Sequence, residues 1–575
     1  MERLVGSSVY EGIALGEIVY LVDESQGIKR IVTSPIDELS KLDKVVDHTL
    51  NELEGLKHSL FGKTDRKYLE MLDVHTMVLK DENFVKDIRD FVINDHLSLE
   101  ESIKSVIKKY RIAFDQLGHT SHRDKFFEIR DVSHRLLGNI SESSFSKDLL
   151  HNKILVTKSL NASLLLECKS KGINILGIVT GSYGASSHAA ILTKAFKIPT
   201  IFNVKSLSRT NWNKVKRVIL DSRKGNESLF LDPNPTTEEI YIKLSKDFNF
   251  KRKNIEEYEV LDPITKCGKE ITVDLNISFL EELLDSTSPS NVGLFRTEFL
   301  FMSSSKPLSE EEQFKMYLDL ASTVKEGKSV SIRVLDWGSD KNIKYLPFIK
   351  EANPALGNRG IRYLLQKDNI LRTQFKAILR ASKYSKIKII YPMIYSFTEI
   401  IQANNILEEC KIELLNNSID ISTNIEVGVM IEVPSAALNI SKILEYVDFV
   451  SIGTNDLTQY ILAADRQNRN VSHIYNPLDS SVLKLVKYVT QEAKKRGKLV
   501  NVCGELPSTP SGLVALLSIG LDSVSISPSF AGMAKKIIRS IKIDDLKGIS
   551  EYILESSDAE KNKNMINMFL DEVLS

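Results

Sequence analysis

Along the first third of the chain, apolar positions fall at helical spacing. Leu39, Leu42, Val46, Leu50, Leu53 and Leu60 repeat at three- to four-residue intervals behind a Ser34-Pro35 start signal. Further amphipathic stretches cover about 67–80, 83–94, 98–116 and 125–140, so residues 34–146 read as almost wholly helical. Text of a different kind brackets them: Ile13–Leu21 before, then Lys153–Val156, Ile173–Val179 and Ile198–Phe202 after, all short apolar β-like runs. The pattern predicts a small α/β domain split in sequence (1–22 and 147–230) around an all-helical insert (23–146). A charged connecting helix, 231–260, follows.

Beyond it the pattern alternates. Eight apolar runs, at 271–276, 291–296, 330–336, 387–394, 425–432, 447–453, 498–503 and 523–527, are mostly separated by helical stretches such as 366–382 and 480–496. Eight strands alternating with helices over about 300 residues predict a (β/α)8 barrel spanning 261–575. The fold class expected is multidomain α/β.

Composition narrows the field. The 575 residues suffice for two to four domains. Lys plus Arg and Asp plus Glu number 76 each, giving no formal net charge, which argues against nucleic-acid or membrane-surface binding. The opening MERLVGSSVYEGIALGEIVYLV lacks a signal-peptide core, and no window is apolar enough to span a bilayer. Cys168, Cys267, Cys410 and Cys503 form no CxxC pair, so neither a disulfide framework nor a zinc site is expected. The composition predicts a reduced, cytoplasmic protein.

A barrel of this kind carries its chemistry at the carboxyl ends of its strands. Those ends offer Arg296 in GLFRTEFLF, Arg333 and Asp336 in IRVLDWGSDK, and Glu432 in VGVMIEVPSA. They also offer Asn455 and Asp456 in SIGTNDLTQY with Arg466 beyond, and Cys503 in VNVCGE; Arg359 lies in EANPALGNRGIR. Guanidinium forks grip phosphate and carboxylate in bidentate fashion. Glu432 and Asp456 suit a hard divalent cation that keeps waters and bridges to phosphate. The ligand implied is small and anionic, with a phosphate. Any one of these residues alone is more often a structural ion-pair partner; so many on one face point to a site.

One histidine stands apart. In GIVTGSYGASSHAAILTKAFKIPTIF, residues 177–202, His188 opens a helix (189–197) after a Gly/Ser turn. Unpaired N–H groups and the dipole favour an anion there. A ring with a reference pKa of about 6.5 is mostly neutral at pH 7 and can act as a nucleophile. The Ser186 and Ser187 hydroxyls would flank a phosphoryl group, and Gly184 would let a donor approach. A histidine that merely caps the helix is the other reading.

The phrases GLFRTEFLFM, IRVLDWGSDK, NPALGNRGIR, VGVMIEVPSAA, DFVSIGTNDLTQY, AADRQNR and CGEL resemble the Enzyme I family of bacterial phosphoenolpyruvate:sugar phosphotransferase systems. The likeness runs almost from end to end. It implies a swivelling phosphohistidine domain with a helical insert, followed by a TIM barrel. It further implies that His188 is phosphorylated, that Arg296, Arg333, Arg359, Asn455 and Arg466 bind phosphoenolpyruvate, and that Glu432 and Asp456 hold Mg²⁺ (or Mn²⁺). Cys503 would protonate the enolate. The insert would dock the histidine-containing phosphocarrier protein, and the barrel would form a homodimer. Tyr183 and Ala185 stand where the family has Gly and Arg, with Lys194 the next basic residue; Trp337 and Ser339 stand where Ile and Gly are common. A phosphoenolpyruvate synthase or dikinase relative would need an ATP-grasp domain, for which 1–146 is too short and too helical. A non-catalytic regulatory homologue would draw only on the altered histidine phrase.

Overall fold

The computed structural model describes residues 2–21, 34–60, 66–116, 120–140, 147–158, 160, 162–181, 188–205, 207, 209–284, 290–304, 306–338, 343, 345–346, 351–422, 424–466, 468 and 470–574. The chain divides into two compact units, Met1–Arg252 and Lys253–Ser575.

The first unit is built on an eight-stranded mixed sheet. Its strands are β1 (Glu2–Val5), β2 (Ser7–Tyr10), β3 (Ile13–Leu21), β4 (Lys153–Thr157), β5 (Ile175–Thr180), β6 (Thr200–Phe202), β7 (Arg217–Asp221) and β8 (Ser228–Leu231), in the order β1-β8-β7-β3-β4-β5-β6-β2. Only β3-β4-β5-β6 run parallel. The amphipathic stretches form α1 (Pro35–Leu60), α2 (Arg66–Lys80), α3 (Glu82–Asn94), α4 (Leu99–Gln116) and α5 (Thr120–Ile140). The helices α6 (Ala162–Ser170) and α7 (His188–Ala195) follow. Alternation along β4 sends Ile154 and Val156 to one face, against Trp212 and Leu220, and Leu155 to the other. On that second face Leu155 and Ile178 share a continuous apolar cluster with Leu165, Leu192, Leu42, Leu53, Ile88 and Leu136, so the helices α1–α5 and the sheet bury one core together. Arg135, buried on α5, ties the same layers by ion pairs to Glu52 of α1 at 3.0 Å and Glu167 of α6 at 2.8 Å.

The helix α8 (Pro235–Tyr258) carries the chain into the second unit. There all eight expected runs become strands: β9 (Thr272–Ile277), β10 (Val292–Arg296), β11 (Ser329–Arg333), β12 (Lys386–Tyr391), β13 (Glu426–Ile431), β14 (Phe449–Gly453), β15 (Leu499–Cys503) and β16 (Ser523–Ile526). They close in sequence into a parallel barrel, β16 pairing with β9. Leu294, Ile390, Met430, Phe449 and Cys503 fill a small inner core, while a much larger apolar shell packs between strands and outer helices. Near the opening of β9, Asp274 accepts from Asn291 Nδ2 at 2.8 Å, and Asn501 Nδ2 donates to Ser525 Oγ at 2.6 Å.

One expectation needs adjustment. The run 330–336 leaves the strand at Arg333: Leu335 turns its N–H to Gln374 Oε1, 2.9 Å away, while staying buried. The stretch 366–382 forms the helix Asp368–Ala381, which Lys367 at φ −120°, ψ 59° separates from a shorter helix before it, Ile361–Gln366. Among the described residues, no helix is long and apolar enough to cross a membrane.

Candidate active site

The carboxyl ends of the barrel strands bring together a buried chain of alternating charge. Arg296 ends β10, followed by Thr297 and Glu298; Arg333 ends β11, with Asp336 three residues on. Arg333 pairs with Glu298 and reaches Asp336 Oδ2 at 3.5 Å. Arg359 Nη2 lies 2.8 Å from Asp336 Oδ2 and 3.3 Å from Asp456 Oδ2. Glu298, Arg333, Asp336, Arg359 and Asp456 are all buried, so the line Glu298–Arg333–Asp336–Arg359–Asp456 runs almost out of water. Burial alone would weaken the charge on Arg333, but Glu298, Asp336 and Glu432 outweigh it and hold the guanidinium firmly protonated.

Glu432 follows β13, its Oε1 accepting the Met393 N–H at 2.7 Å. Burial, and then the nearness of Asp456, push its carboxyl up to about 8. A buried carboxylate beside another is penalised when both ionise, and a dication relieves that penalty. Gly453, ending β14, leaves the room this needs: a Cβ there would sit 2.8 Å from Glu432 Oε2. Among the described residues, no group of three or more His, Cys, Asp or Glu could hold a metal. A cation on Glu432 and Asp456 would therefore complete its shell from water and ligand, the habit of Mg²⁺. The pair fits such an ion.

Asn455 and Arg466 converge on a third group. Asn455 Oδ1 accepts the Glu505 N–H at 2.9 Å, and Arg466 Nη1 lies 3.9 Å from Glu505 Oε1. The Tyr475 hydroxyl donates to the Asn455 carbonyl at 3.3 Å. Gly504 makes this closeness possible. It takes φ +100°, and a side chain there would meet Thr454 Oγ1 at 2.5 Å.

Cys503 ends β15 and is 2% exposed. Ser451 Oγ donates to its sulfur at 3.5 Å, and the thiol itself reaches the Ile452 carbonyl at 3.4 Å. Burial pushes it up to about 11, opposed by Ser451 and Arg333, so it carries its proton at neutral pH. Arg296 Nε and Arg333 Nε are buried without a partner among the described residues. Two buried guanidinium donors left open suit an incoming anion.

His188 belongs to the other unit, as the first residue of α7, whose Ala189, Ala190 and Leu192 are buried. Its side chain, and Tyr183, Gly184, Ala185, Ser186, Ser187 and Ser339, lie outside the described residues.

Three family models divide the sequence. The phosphoenolpyruvate-binding domain of phosphoenolpyruvate-utilising enzymes matches residues 252–543, their N-terminal domain 5–124 and their mobile domain 149–225. A phosphoenolpyruvate-protein phosphotransferase of Buchnera aphidicola subsp. Baizongia pistaciae is 35% identical over 97% of both chains. Proteins of the same name from Listeria innocua (31% identical, covering 99% of this chain and 100% of theirs) and Mycoplasma capricolum (30%, 100% of both) are also similar. The chain belongs to the phosphoenolpyruvate-protein phosphotransferase family.

Within this phosphotransferase chain, the barrel gathers Arg333, Arg359, Glu432, Asp456 and Cys503 around one another, with Asn455 and Arg466 meeting at Glu505. Sequence reading missed Glu298 and Glu505 entirely. Glu298 lay inside a quoted phrase, two residues after Arg296, but its partner Arg333 is 35 residues away and only the barrel shows it. Asp336 was visible at a strand end; its bridging of two arginines was not.

Proposed function

We propose that this chain accepts the phosphoryl group of phosphoenolpyruvate on His188 and hands it to a histidine-containing phosphocarrier protein, the first step of a sugar phosphotransferase system. The buried line of charges beside Cys503, with its open guanidinium donors, is the observation that carries this reading.

Arg296, Arg333 and Arg359 grip the phosphate and carboxylate of phosphoenolpyruvate, and Asn455 and Arg466 close on it from the Glu505 side. Glu432 and Asp456 would hold Mg²⁺ (or Mn²⁺), which when bound supplies positive charge against the phosphate oxygens. A nitrogen of the His188 ring attacks phosphorus; an N–P bond forms as the P–O bond to the enol oxygen breaks. The electron pair released to the enolate collects at the methylene carbon. Cys503 gives that carbon its proton, yielding pyruvate, and the thiolate left behind regains a proton from solvent.

Transfer needs reacting atoms about 3–3.5 Å apart. Each part of the chain therefore has its own role. Residues 1–22 and 147–230 form a swivelling phosphohistidine domain, and 23–146 a carrier-docking insert. A linker helix, 231–260, leads to a substrate barrel, 261–575, that also forms a homodimer. The setting is the cytoplasm, with neither nucleic acid nor membrane as partner.

Labelled phosphoenolpyruvate with Mg²⁺ provides the test. One acid-labile, base-stable label per chain is expected, and none on His188→Ala. Undiminished labelling of that variant would refute the assignment.

A further inference from the structure

Trp337 directly follows Asp336, and phosphoryl transfer as derived above gives it nothing to do. The residue is 3% exposed, and its Nε1–H finds no acceptor among the described residues. A buried N–H left unpaired costs about 1–3 kcal/mol, so hydrogen bonding within the protein does not explain the indole. Its contacts do. The ring meets that of Tyr363 with centroids 4.4 Å apart at 57°, and the Trp337 carbonyl accepts the Gly360 N–H at 2.9 Å. Gly360 directly follows Arg359, and Tyr363 lies about one helical turn beyond it, in the helix Ile361–Gln366. Asp336, one residue earlier, grips the Arg359 guanidinium itself at 2.8 Å.

The turn so held has little room to move. Gly360 takes φ +59°, and a Cβ there would lie 2.8 Å from Met393 Cβ. Met393 in turn gives its N–H to Glu432. Residues 336–337 thus press the Arg359 turn against the strand end that also orients Glu432. Tilted aromatic pairs at this separation contribute about 0.5–1.5 kcal/mol beyond simple burial, enough to bias one orientation of a short turn.

We propose that Trp337 is a positioning residue for Arg359: its packing on Tyr363 fixes the turn 357–361 and so the direction from which the guanidinium meets the substrate anion. The inference rests on the function proposed above and names what orients one of its groups. A simple core filler would tolerate any apolar side chain of similar bulk; a positioning residue needs the flat ring.

Three variants and a spectroscopic signal test it. Trp337→Phe keeps a ring and drops the unpaired N–H, and its kcat/KM for phosphoenolpyruvate should stay within about threefold of the unmutated chain. Trp337→Leu keeps an apolar, though smaller, side chain without the ring, and should lose ~10–100-fold, the scale of an ångström-sized misplacement. Paired with Arg359→Lys, Trp337→Leu should cost little more than Arg359→Lys alone, because both act through one group. Wild-type kcat/KM in Trp337→Leu, or losses that multiply in the double variant, would overturn the inference.

The chain has two tryptophans, so Trp212→Phe leaves Trp337 as the only indole emitter. Its emission should change saturably with phosphoenolpyruvate and Mg²⁺, and less so with Arg359→Lys added. A flat emission would count against the inference even if Trp337→Leu failed to fold. If the unmutated chain took no label from phosphoenolpyruvate, this inference and the proposed function would fall together; labelling with an inert Trp337 would remove this inference alone.

Discussion

Adding one methyl group at Gly453 tests how Glu432 is held. A Cβ there would approach Glu432 Oε2 to 2.8 Å, Glu432 Cβ to 3.0 Å and Met430 Cγ to 3.1 Å. Ordinary carbon contacts begin at roughly 3.5 Å, so several atoms must retreat by about half an ångström. Glu432 cannot simply swing aside, since its other oxygen accepts the Met393 N–H at 2.7 Å and the whole side chain is buried. Overpacking of this kind costs about 1–3 kcal/mol of stability. The larger effect should fall on function: a carboxylate displaced by half an ångström loses the geometry of a cation site, and phosphorylation by phosphoenolpyruvate should drop ~10–100-fold. The assay is acid-labile labelling of Gly453→Ala across a Mg²⁺ titration. Half-saturation should move to higher Mg²⁺, while phosphate exchange between His188 and the phosphorylated carrier, which under the proposed function uses only the first unit, should stay normal. Labelling at the wild-type rate with unaltered Mg²⁺ dependence would show that Glu432 is not the metal carboxylate.

Two further substitutions separate chemistry from scaffold. Cys503→Ala should still bind phosphoenolpyruvate but release pyruvate ~100-fold more slowly, the scale of a lost general acid; wild-type release would assign the proton to another group. Asp274 concerns pH: burial pushes its carboxyl from the ordinary 3.8 up to about 6, against the pull of Asn291, Lys388 and Lys328. Its folded-state pKa is the higher one, so its stabilisation is complete below pH 3.8 and is lost as pH rises through 6. Asp274→Asn should therefore flatten the barrel's melting profile between about pH 4 and 7 and stabilise it at pH 8 by up to about 3 kcal/mol; parallel profiles for the two proteins would refute this.

How much of this could be read in advance follows from burial. Strands of a closed parallel barrel are covered on both faces and spell nearly continuous apolar runs, so Ile387–Tyr391 and Val427–Ile431 announce themselves. The edge strand β1 does not: of Glu2–Val5 only Leu4 is buried, and the segment becomes a strand only because β8 pairs with it. Likewise β7 and β8 pair with each other as a hairpin, but their outer neighbours, β3 and β1, lie far back in the chain. Val334 and Leu335 misled in the other direction, being as apolar and buried as a strand while already in the loop that sets Asp336. Single chemical groups were legible wherever they end a strand, as Arg296, Arg333 and Cys503 do. What joins them, Glu298 to Arg333 or Glu505 to Asn455, depends on neighbouring strands and has no counterpart in spacing along the chain.

The sheet of the first unit also sets a timetable for synthesis. The strand β3 finds its parallel neighbour β4 only after the five helices between them have been made, and β1 waits for β8 at the far end of the unit. At about 5–20 residues per second the first strands spend on the order of ten to fifty seconds without their partners. The helices α1–α5, held by local contacts, can form during that wait. Part of the apolar surface they need is nonetheless supplied by β4, β5 and α6, which emerge after them. Nascent chains that stall between residues 140 and 230 should thus carry a formed but uncovered helical layer beside unpaired strand edges, and this is the interval in which the protein most needs a chaperone.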